Sequence, residues 1–86
     1  MTEKELFEKN QKLSTEFDLY LLDHPELLDK IPENALIVLL PEFDQELKQK
    51  NLEMARLHRE KEQPLVYVKV DKMRASRLEG LQLEVA

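Results

Sequence analysis

The chain has 86 residues, 42% hydrophobic and 36% charged, with a formal net charge of −5, which predicts one globular domain spanning residues 1–86. It contains no cysteine, which excludes disulfides and thiolate metal ligands. Its longest apolar run, Ala35 to Leu40, is far shorter than the ~20 residues of a membrane-spanning helix. The charged start, MTEKEL, is unlike a secretion signal. We therefore expect a cytoplasmic protein with no membrane partner.

The charge is unevenly distributed along the chain. Residues 1–46 contain twelve acidic and four basic residues, whereas residues 47–86 contain six acidic and nine basic ones. An acidic half argues against nucleic-acid binding, which depends on neutralising phosphates. Complementary halves would instead attract each other between two copies of the chain.

The first predicted element is a helix from about Thr2 to Asp23. Thr2 and Glu5 have the spacing of a capping box, and Pro25 disfavours helical backbone at His24, where the helix should end. The segment Pro25 to Lys30 then suits a short helix with its proline in the first turn. At about 100° per residue, one side of the long helix is apolar: Leu6, Leu13, Phe17, Tyr20 and Leu21.

The centre of the chain predicts a strand, a helix and a second strand. In the strand at 35–40 both alternating sets of side chains are apolar, which indicates a strand covered on both faces, in the middle of its sheet. Asp44 should cap a helix that runs to Glu62, and the strand at 65–70 follows. Two strands joined through a helix should be parallel, with a right-handed crossover. The helix has an apolar stripe of Phe43, Leu47, Met54, Ala55 and Leu57.

Two conformations are open for residues 71–86. Asp71 to Glu79 has the pattern of a short helix ended by Gly80, or the chain turns back near Ala75-Ser76. Apolar residues at 81, 83 and 85 alternate with polar ones, which favours a strand at the edge of the sheet or in a partner's sheet. The expected fold is a small α/β domain of α+β character. It is a two-layer sandwich, in which an N-terminal helix precedes the βαβ unit and an edge strand follows it.

Polar residues interrupt both apolar helix stripes. Asn51 and His58 flank Met54 on the second helix, and Asn10 and His24 lie on the apolar side of the first. A buried amide or imidazole without a partner costs about 1–3 kcal/mol. These four residues therefore predict one of two roles. In the structural role they cap loop backbone, bond each other or lie at the edge of a stripe in water; in the functional role they form a small polar pocket for a ligand, or a two-histidine metal site completed by carboxylates.

Carboxylates follow the ends of the two predicted parallel strands. Ligands of open parallel sheets bind beyond these ends, where Glu42, Asp44 and Asp71 could converge and hold a divalent cation. The alternative interpretation is local, because aspartate is common as a helix cap and in turns.

A basic run near the end of the chain, formed by Lys69, Lys72, Arg74 and Arg77, suits an acidic protein surface better than nucleic acid, since no interleaved aromatic residues or recognised binding motif accompany it. No nucleophile–histidine motif, glycine-rich phosphate loop or dinucleotide motif occurs. An enzyme is therefore disfavoured, and no cofactor is predicted.

Several segments resemble a family of short prokaryotic proteins known only as a domain of unknown function. The similar segments are Lys9-Asn10, LLDHPELLDKIP, IVLLPEFDQEL, KNLEMAR and QPLVYVKV, within Phe7 to Met73. The resemblance implies no activity, cofactor or catalytic residue. It places Asn10, His24-Pro25 and Asn51 inside the recognisable segments, which favours a role for them in shaping the fold or a site.

The leading functional hypothesis is a non-enzymatic interaction or regulatory module that acts as a homodimer, of which an antitoxin-like protein is one form. It is motivated by surplus apolar surface, since Leu19 and Leu22 fall opposite the first helix stripe and LQLEVA is a candidate edge. The alternative is a small-ligand or metal-binding domain that uses Asn51, His58 and His24, or the three carboxylates.

Overall fold

The computed structural model describes residues 1–74 and 77–86, with side chains except those of residues 74 and 77–79. Its elements, in chain order, are α1 (Glu3–Asp23), a 3₁₀ helix (Pro25–Lys30), β1 (Leu36–Pro41), α2 (Gln45–His58), β2 (Leu65–Arg74) and β3 (Arg77–Val85). Among these residues, no helix combines the length and the hydropathy needed to cross a bilayer. The turn predicted near Ala75-Ser76 lies outside the described residues.

The first helix begins and ends where its sequence predicts. The Thr2 hydroxyl oxygen accepts the Glu5 N–H over 3.1 Å, which satisfies one of the unpaired amides of the first turn. At the other end, His24 caps the helix with non-helical backbone immediately before Pro25. Residues 25–30 form the predicted short helix as a 3₁₀ turn.

The second helix ends at His58, four residues before the predicted Glu62. Arg59 already has extended backbone, and the chain turns through hydrogen bonds made by Gln63. The Gln63 side-chain oxygen accepts the Glu60 N–H over 3.0 Å, and the Gln63 carbonyl accepts from Arg59 Nε over 2.8 Å. Leu57 therefore lies in a terminal turn and is 78% exposed, so its predicted place in the buried stripe is wrong.

The three strands form one mixed sheet in the order β1-β2-β3. β1 and β2 are parallel, as predicted, with Leu36 opposite Leu65 and Pro41 opposite Val70. β2 and β3 are antiparallel, so the edge strand is confirmed, and the helical alternative is wrong for residues 71–74 and 77–79. The prediction that the first strand lies in the middle of the sheet is also wrong, since β2 is central.

Two apolar clusters, one on each face of the sheet, explain why the first strand is apolar on both sides. Phe17 of α1 packs against Val66, Val68 and Val70 on one face, with Ile37 and Leu39 beside them. On the opposite face, Ala55 and Leu52 of α2 pack against Val38, Leu40 and Leu65. The α/β class is confirmed, with the helices contacting opposite faces of the sheet where the sequence predicts a single helical layer.

Candidate functional site

A pair of asparagines joins the two long helices. Asn10 Nδ2 donates to Asn51 Oδ1 over 2.8 Å, and Asn51 Nδ2 donates to Asn10 Oδ1 over 2.9 Å. Asn51 Nδ2 also donates to the Leu39 carbonyl over 2.8 Å. Asn51 is only 6% exposed, so these bonds supply the partners that a buried amide requires. We call this arrangement the amide pair.

The Leu39 carbonyl needs a partner because it lies on the free edge of the sheet. The Leu36 N–H donates to Pro64 O over 2.8 Å and the Glu42 N–H to Val70 O over 2.9 Å, so even-numbered residues of β1 bond β2. Odd-numbered residues then point their backbone groups away from the sheet, because alternate residues of a strand point opposite ways. The amide pair therefore covers the outer edge of β1 at Leu39.

A second polar contact joins the same two helices near the start of α2. Asp44 accepts the Leu47 N–H over 3.1 Å as the cap of α2, and its other oxygen accepts from Lys9 Nζ over 3.1 Å. The hydrogen bond from Leu47, and then the one from Lys9, hold the pKa of the Asp44 carboxyl below its ordinary value. The first half of α1 is thus fixed to α2 by contacts from Lys9 and Asn10.

A cavity of about 270 Å³ lies beside the amide pair, between α1 and α2. Residues Leu36 to Leu39 of β1 line one side of it. The helices supply the other sides: Asn10 and Ser14 from α1, and Asn51, Met54, Ala55 and His58 from α2. Asp, Glu, Lys and Arg are missing from this lining, and Ser14 and His58 are exposed at its rim. The cavity therefore suits an uncharged, mostly apolar molecule.

The two histidines are separated in the structure. His58 lines the cavity with Asn51. His24 lies at the far end of α1, about 21 Å along the helix from Asn10 at 1.5 Å per residue. There its ring stacks on Tyr20 with 4.3 Å between centroids, and its Nδ1 lies 3.4 Å from Glu26. The structure therefore brings together Asn10, Asn51 and His58 of the four predicted residues, and places His24 elsewhere.

The three predicted carboxylates do not assemble into a metal site. Glu42 binds Lys48 Nζ through both oxygens, at 2.9 and 3.1 Å, and Asp44 is the cap described above. Asp71 packs on Gly80, where an added Cβ would lie 2.5 Å from Asp71 Oδ2. Among the described side chains, those of residues 1–73 and 80–86, no group of three histidine, aspartate or glutamate residues is arranged to hold a cation.

The predicted basic run begins on the central strand, β2, with Lys69 and Lys72. Lys69 makes an ion pair with Glu84 of β3 over 2.6 Å, and this hydrogen bond raises the pKa of the Lys69 ammonium. Lys72 is exposed. The side chains of Arg74 and Arg77 lie outside the described residues. The position of Lys69 is therefore explained by a partner in the neighbouring strand.

Sequence reasoning missed two parts of the cavity, Ser14 and the outer backbone edge of β1. Ser14 could not be identified from the sequence, because a serine at an exposed position of a helix does not indicate a cavity. The edge was missed because the strand order was predicted incorrectly, and a central strand would have had no free backbone groups. The sequence feature that did indicate this site was the presence of one asparagine in each of the two apolar helix stripes.

Residues 5–81 of the chain match the model of a family described as "Family of unknown function (DUF5647)". The chain belongs to this family. The match contains the amide pair, the cavity and most of the sheet. Comparison with curated proteins and with solved structures finds no match.

The acid sensitivity of the domain should depend partly on Asp44. Its pKa is lower in the folded state than the value of about 3.9 expected when unfolded. Its contribution is therefore fully present above that value and is lost as the pH falls through the folded pKa. Replacing Asp44 with alanine should lower the free energy of unfolding by about 1 kcal/mol at pH 7, as loss of a helix cap does.

Urea unfolding followed by circular dichroism, at pH 7 and pH 2.5 and at one protein concentration, measures this difference. The gap between the wild type and Asp44→Ala should shrink at the lower pH. Asp44→Asn is the control, since asparagine also caps helices but does not titrate. A gap of the same size at both pH values would contradict the role of the charge.

Proposed function

We propose that this domain is a non-enzymatic interaction module that works as a homodimer, joined through the free edge of β3. The observation that carries the proposal is the difference between the two edges of the sheet. The β1 edge lies between two helices and is covered at Leu39 by the amide pair. The β3 edge has no comparable covering among the described residues.

The backbone groups on the β3 edge can be identified from the ladder with β2. The Ala86 N–H donates to the Leu65 carbonyl over 2.9 Å, and Ala86 is in register with Leu65 because Val85 pairs with Val66. Even-numbered residues of this strand therefore bond β2. The backbone groups of Leu81, Leu83 and Val85 point outward, and no backbone group of residues 1–74 and 77–86 bonds them.

The sequence of β3 does not protect this edge. Natural edge strands are commonly blocked by lysine, proline, bulges or a short length. β3 is nine residues long, RLEGLQLEV, and contains neither proline nor lysine. Its charged residues are Arg77, Glu79 and Glu84, and the Glu84 carboxylate is paired with Lys69 of β2 inside the domain. Leu81 and Leu83 belong to the apolar cluster under α1, and Val85 is 51% exposed. An apolar, unblocked edge of this kind is suited to pairing with another strand.

A second copy of the chain provides a matching edge. Two β3 strands related by a two-fold axis run antiparallel, so each presents the donors and acceptors that the other lacks. The product is a continuous six-stranded sheet, in which the apolar residues at 81, 83 and 85 of the two copies lie side by side. In this proposal the protein acts through such contacts, in a regulatory role of which an antitoxin is one form.

Leu83→Pro tests the interface directly. Proline removes an N–H that points away from β2, so the ladder inside the domain keeps its hydrogen bonds while the edge loses a donor. Leu83→Ala is the matched control, because it loses the same side-chain contacts and keeps the N–H.

Light scattering after size-exclusion chromatography gives the mass of each variant. We expect the wild type and Leu83→Ala to have the mass of two 10.2-kDa chains, and Leu83→Pro to have the mass of one. Circular dichroism should show that all three remain folded. A monomeric wild type at the highest concentration that stays in solution, or a dimeric Leu83→Pro, would refute the proposal.

A further inference from the structure

We infer that the cavity between α1 and α2 binds a short, uncharged, extended peptide, which pairs with the outer edge of β1 at Ile37 and Leu39. The site is separate from the β3 edge, so the inference does not depend on the proposed dimer. It rests on the backbone groups that face the cavity, on the composition of its lining and on its size.

Three backbone groups at this edge have no partner in the described part of the chain. They are the N–H and the carbonyl of Ile37 and the N–H of Leu39, which point outward like the Leu39 carbonyl that Asn51 binds. Buried or half-buried backbone groups are nearly always paired with protein, water or a ligand. Along the edge these groups are a donor, an acceptor and a second donor. An extended peptide can pair with all three through a carbonyl, an N–H and a second carbonyl of its own backbone.

The amide pair limits how long the bound segment can be. It joins α1 to α2 beyond the edge at Leu39, and Pro41 at the end of β1 has no N–H to offer. The accessible edge is therefore about three residues long, shorter than the five or six residues of a typical strand. This length excludes pairing of two whole β1 strands and favours a peptide of two or three residues. A cavity of about 270 Å³ is slightly smaller than the ~300–1,000 Å³ of ordinary ligand pockets, which agrees with a segment of that length.

The lining determines the character of the peptide. Burying a charge without a partner is costly, and the cavity offers no Asp, Glu, Lys or Arg side chain to pair with one. Side chains of an extended peptide alternate in direction, so they would contact Ser14 of α1 on one side and Met54 of α2 on the other. Met54 is half-buried and flexible, which suits a site that accepts more than one aliphatic side chain.

The probe for this site is the blocked tripeptide acetyl-alanyl-valyl-alanine amide, added to ¹⁵N-labelled protein and followed by NMR. We expect saturable shifts of the Ile37 and Leu39 amide signals, and slower hydrogen exchange at both. The same peptide with an N-methyl group on its valine lacks the N–H that would donate to the Ile37 carbonyl. It should bind about three- to tenfold more weakly.

Two protein variants complete the test. Ser14→Trp places a large side chain at the rim of the cavity and should abolish the shifts. Lys12→Trp is the control, since Lys12 is an exposed residue of the same helix that does not line the cavity. Equal binding by Ser14→Trp and the wild type, or equal affinity for the N-methyl peptide, would overturn the inference. Shifts confined to the Leu81 and Leu83 amides would also overturn it, because they would place the peptide on the β3 edge.

Discussion

Replacing Phe17 with alanine is expected to lower the free energy of unfolding by about 3–5 kcal/mol, the usual cost of truncating a buried phenylalanine. Phe17 is 5% exposed and is the residue of α1 buried in the cluster with Val66, Val68 and Val70. Its removal leaves a cavity between the second half of α1 and the central strand. For 86 residues the whole stability is roughly 4–13 kcal/mol, at 0.05–0.15 kcal/mol per residue. The variant should therefore be close to unfolding at 37 °C.

Phe7→Ala is the control on the same helix. Phe7 is 67% exposed, so the same truncation removes little buried surface and should change stability by about 0.5 kcal/mol or less. Urea unfolding of both variants, monitored by circular dichroism at one protein concentration, gives the comparison. Equal losses for the two phenylalanines would mean that α1 does not pack on the sheet through Phe17.

The elements of this fold could be predicted from local signals, because each signal acts within a few residues. Thr2 and Glu5 set the start of α1, and Pro25 sets its end. The end of α2 was predicted less well, since it depends on Gln63, whose side chain reaches back to Glu60 through a turn that the helical pattern does not encode. Local patterns therefore predicted the type of both long helices and of β1 and β2 better than the last turn of α2.

The position of β1 in the sheet could not be predicted from its own residues. Apolar side chains on both faces of β1 indicate that both faces are buried. They do not indicate whether β1 has a neighbouring strand on one side or on both. Here Phe17 of α1 covers one face of the sheet and Ala55 of α2 the other, while β1 remains an edge strand. The order of the strands in the sheet depends on where β3, the last strand in the sequence, pairs. The sequence of this segment left two conformations open.

The candidate site was also only partly predictable, because it too depends on the position of β1 at the edge of the sheet. The asparagines were predicted as partners or as pocket residues because polar side chains in an apolar stripe need hydrogen bonds. Their actual role depends on the edge position of Leu39, whose carbonyl gives Asn51 its third bond. The histidines looked equivalent in sequence, yet only His58 lies at the cavity, because α1 extends about 21 Å beyond Asn10 before it reaches His24.

The amide pair also bears on how the domain associates. A sheet with two open edges can add copies at both sides and grow without limit, whereas a sheet with one open edge stops at two copies. Asn10 and Asn51 cover the β1 edge at Leu39, and β3 remains open. The polar contact inside the domain therefore favours a closed dimer over an open-ended assembly in the proposed mode of association.

Asn51→Ala should consequently have two effects. It leaves the Leu39 carbonyl and the Asn10 amide without their partner, which should lower the free energy of unfolding by about 2–4 kcal/mol, from one or two unsatisfied polar groups. Asn10→Ala should cost less, because Asn51 keeps its bond to Leu39. The double variant should cost less than the sum of the two, with a coupling of about 0.5–3 kcal/mol for directly bonded residues.

Gln49→Ala is the control for this cycle, since Gln49 is an exposed residue of α2 outside the amide pair. Urea unfolding measures the four stabilities, and light scattering measures association. If the amide pair covers the β1 edge, Asn51→Ala should also form species larger than a dimer, while Gln49→Ala should match the wild type in both measurements. Additive losses for Asn10 and Asn51 would show that the two amides do not act together, since a hydrogen-bonded pair is broken as completely by one substitution as by two.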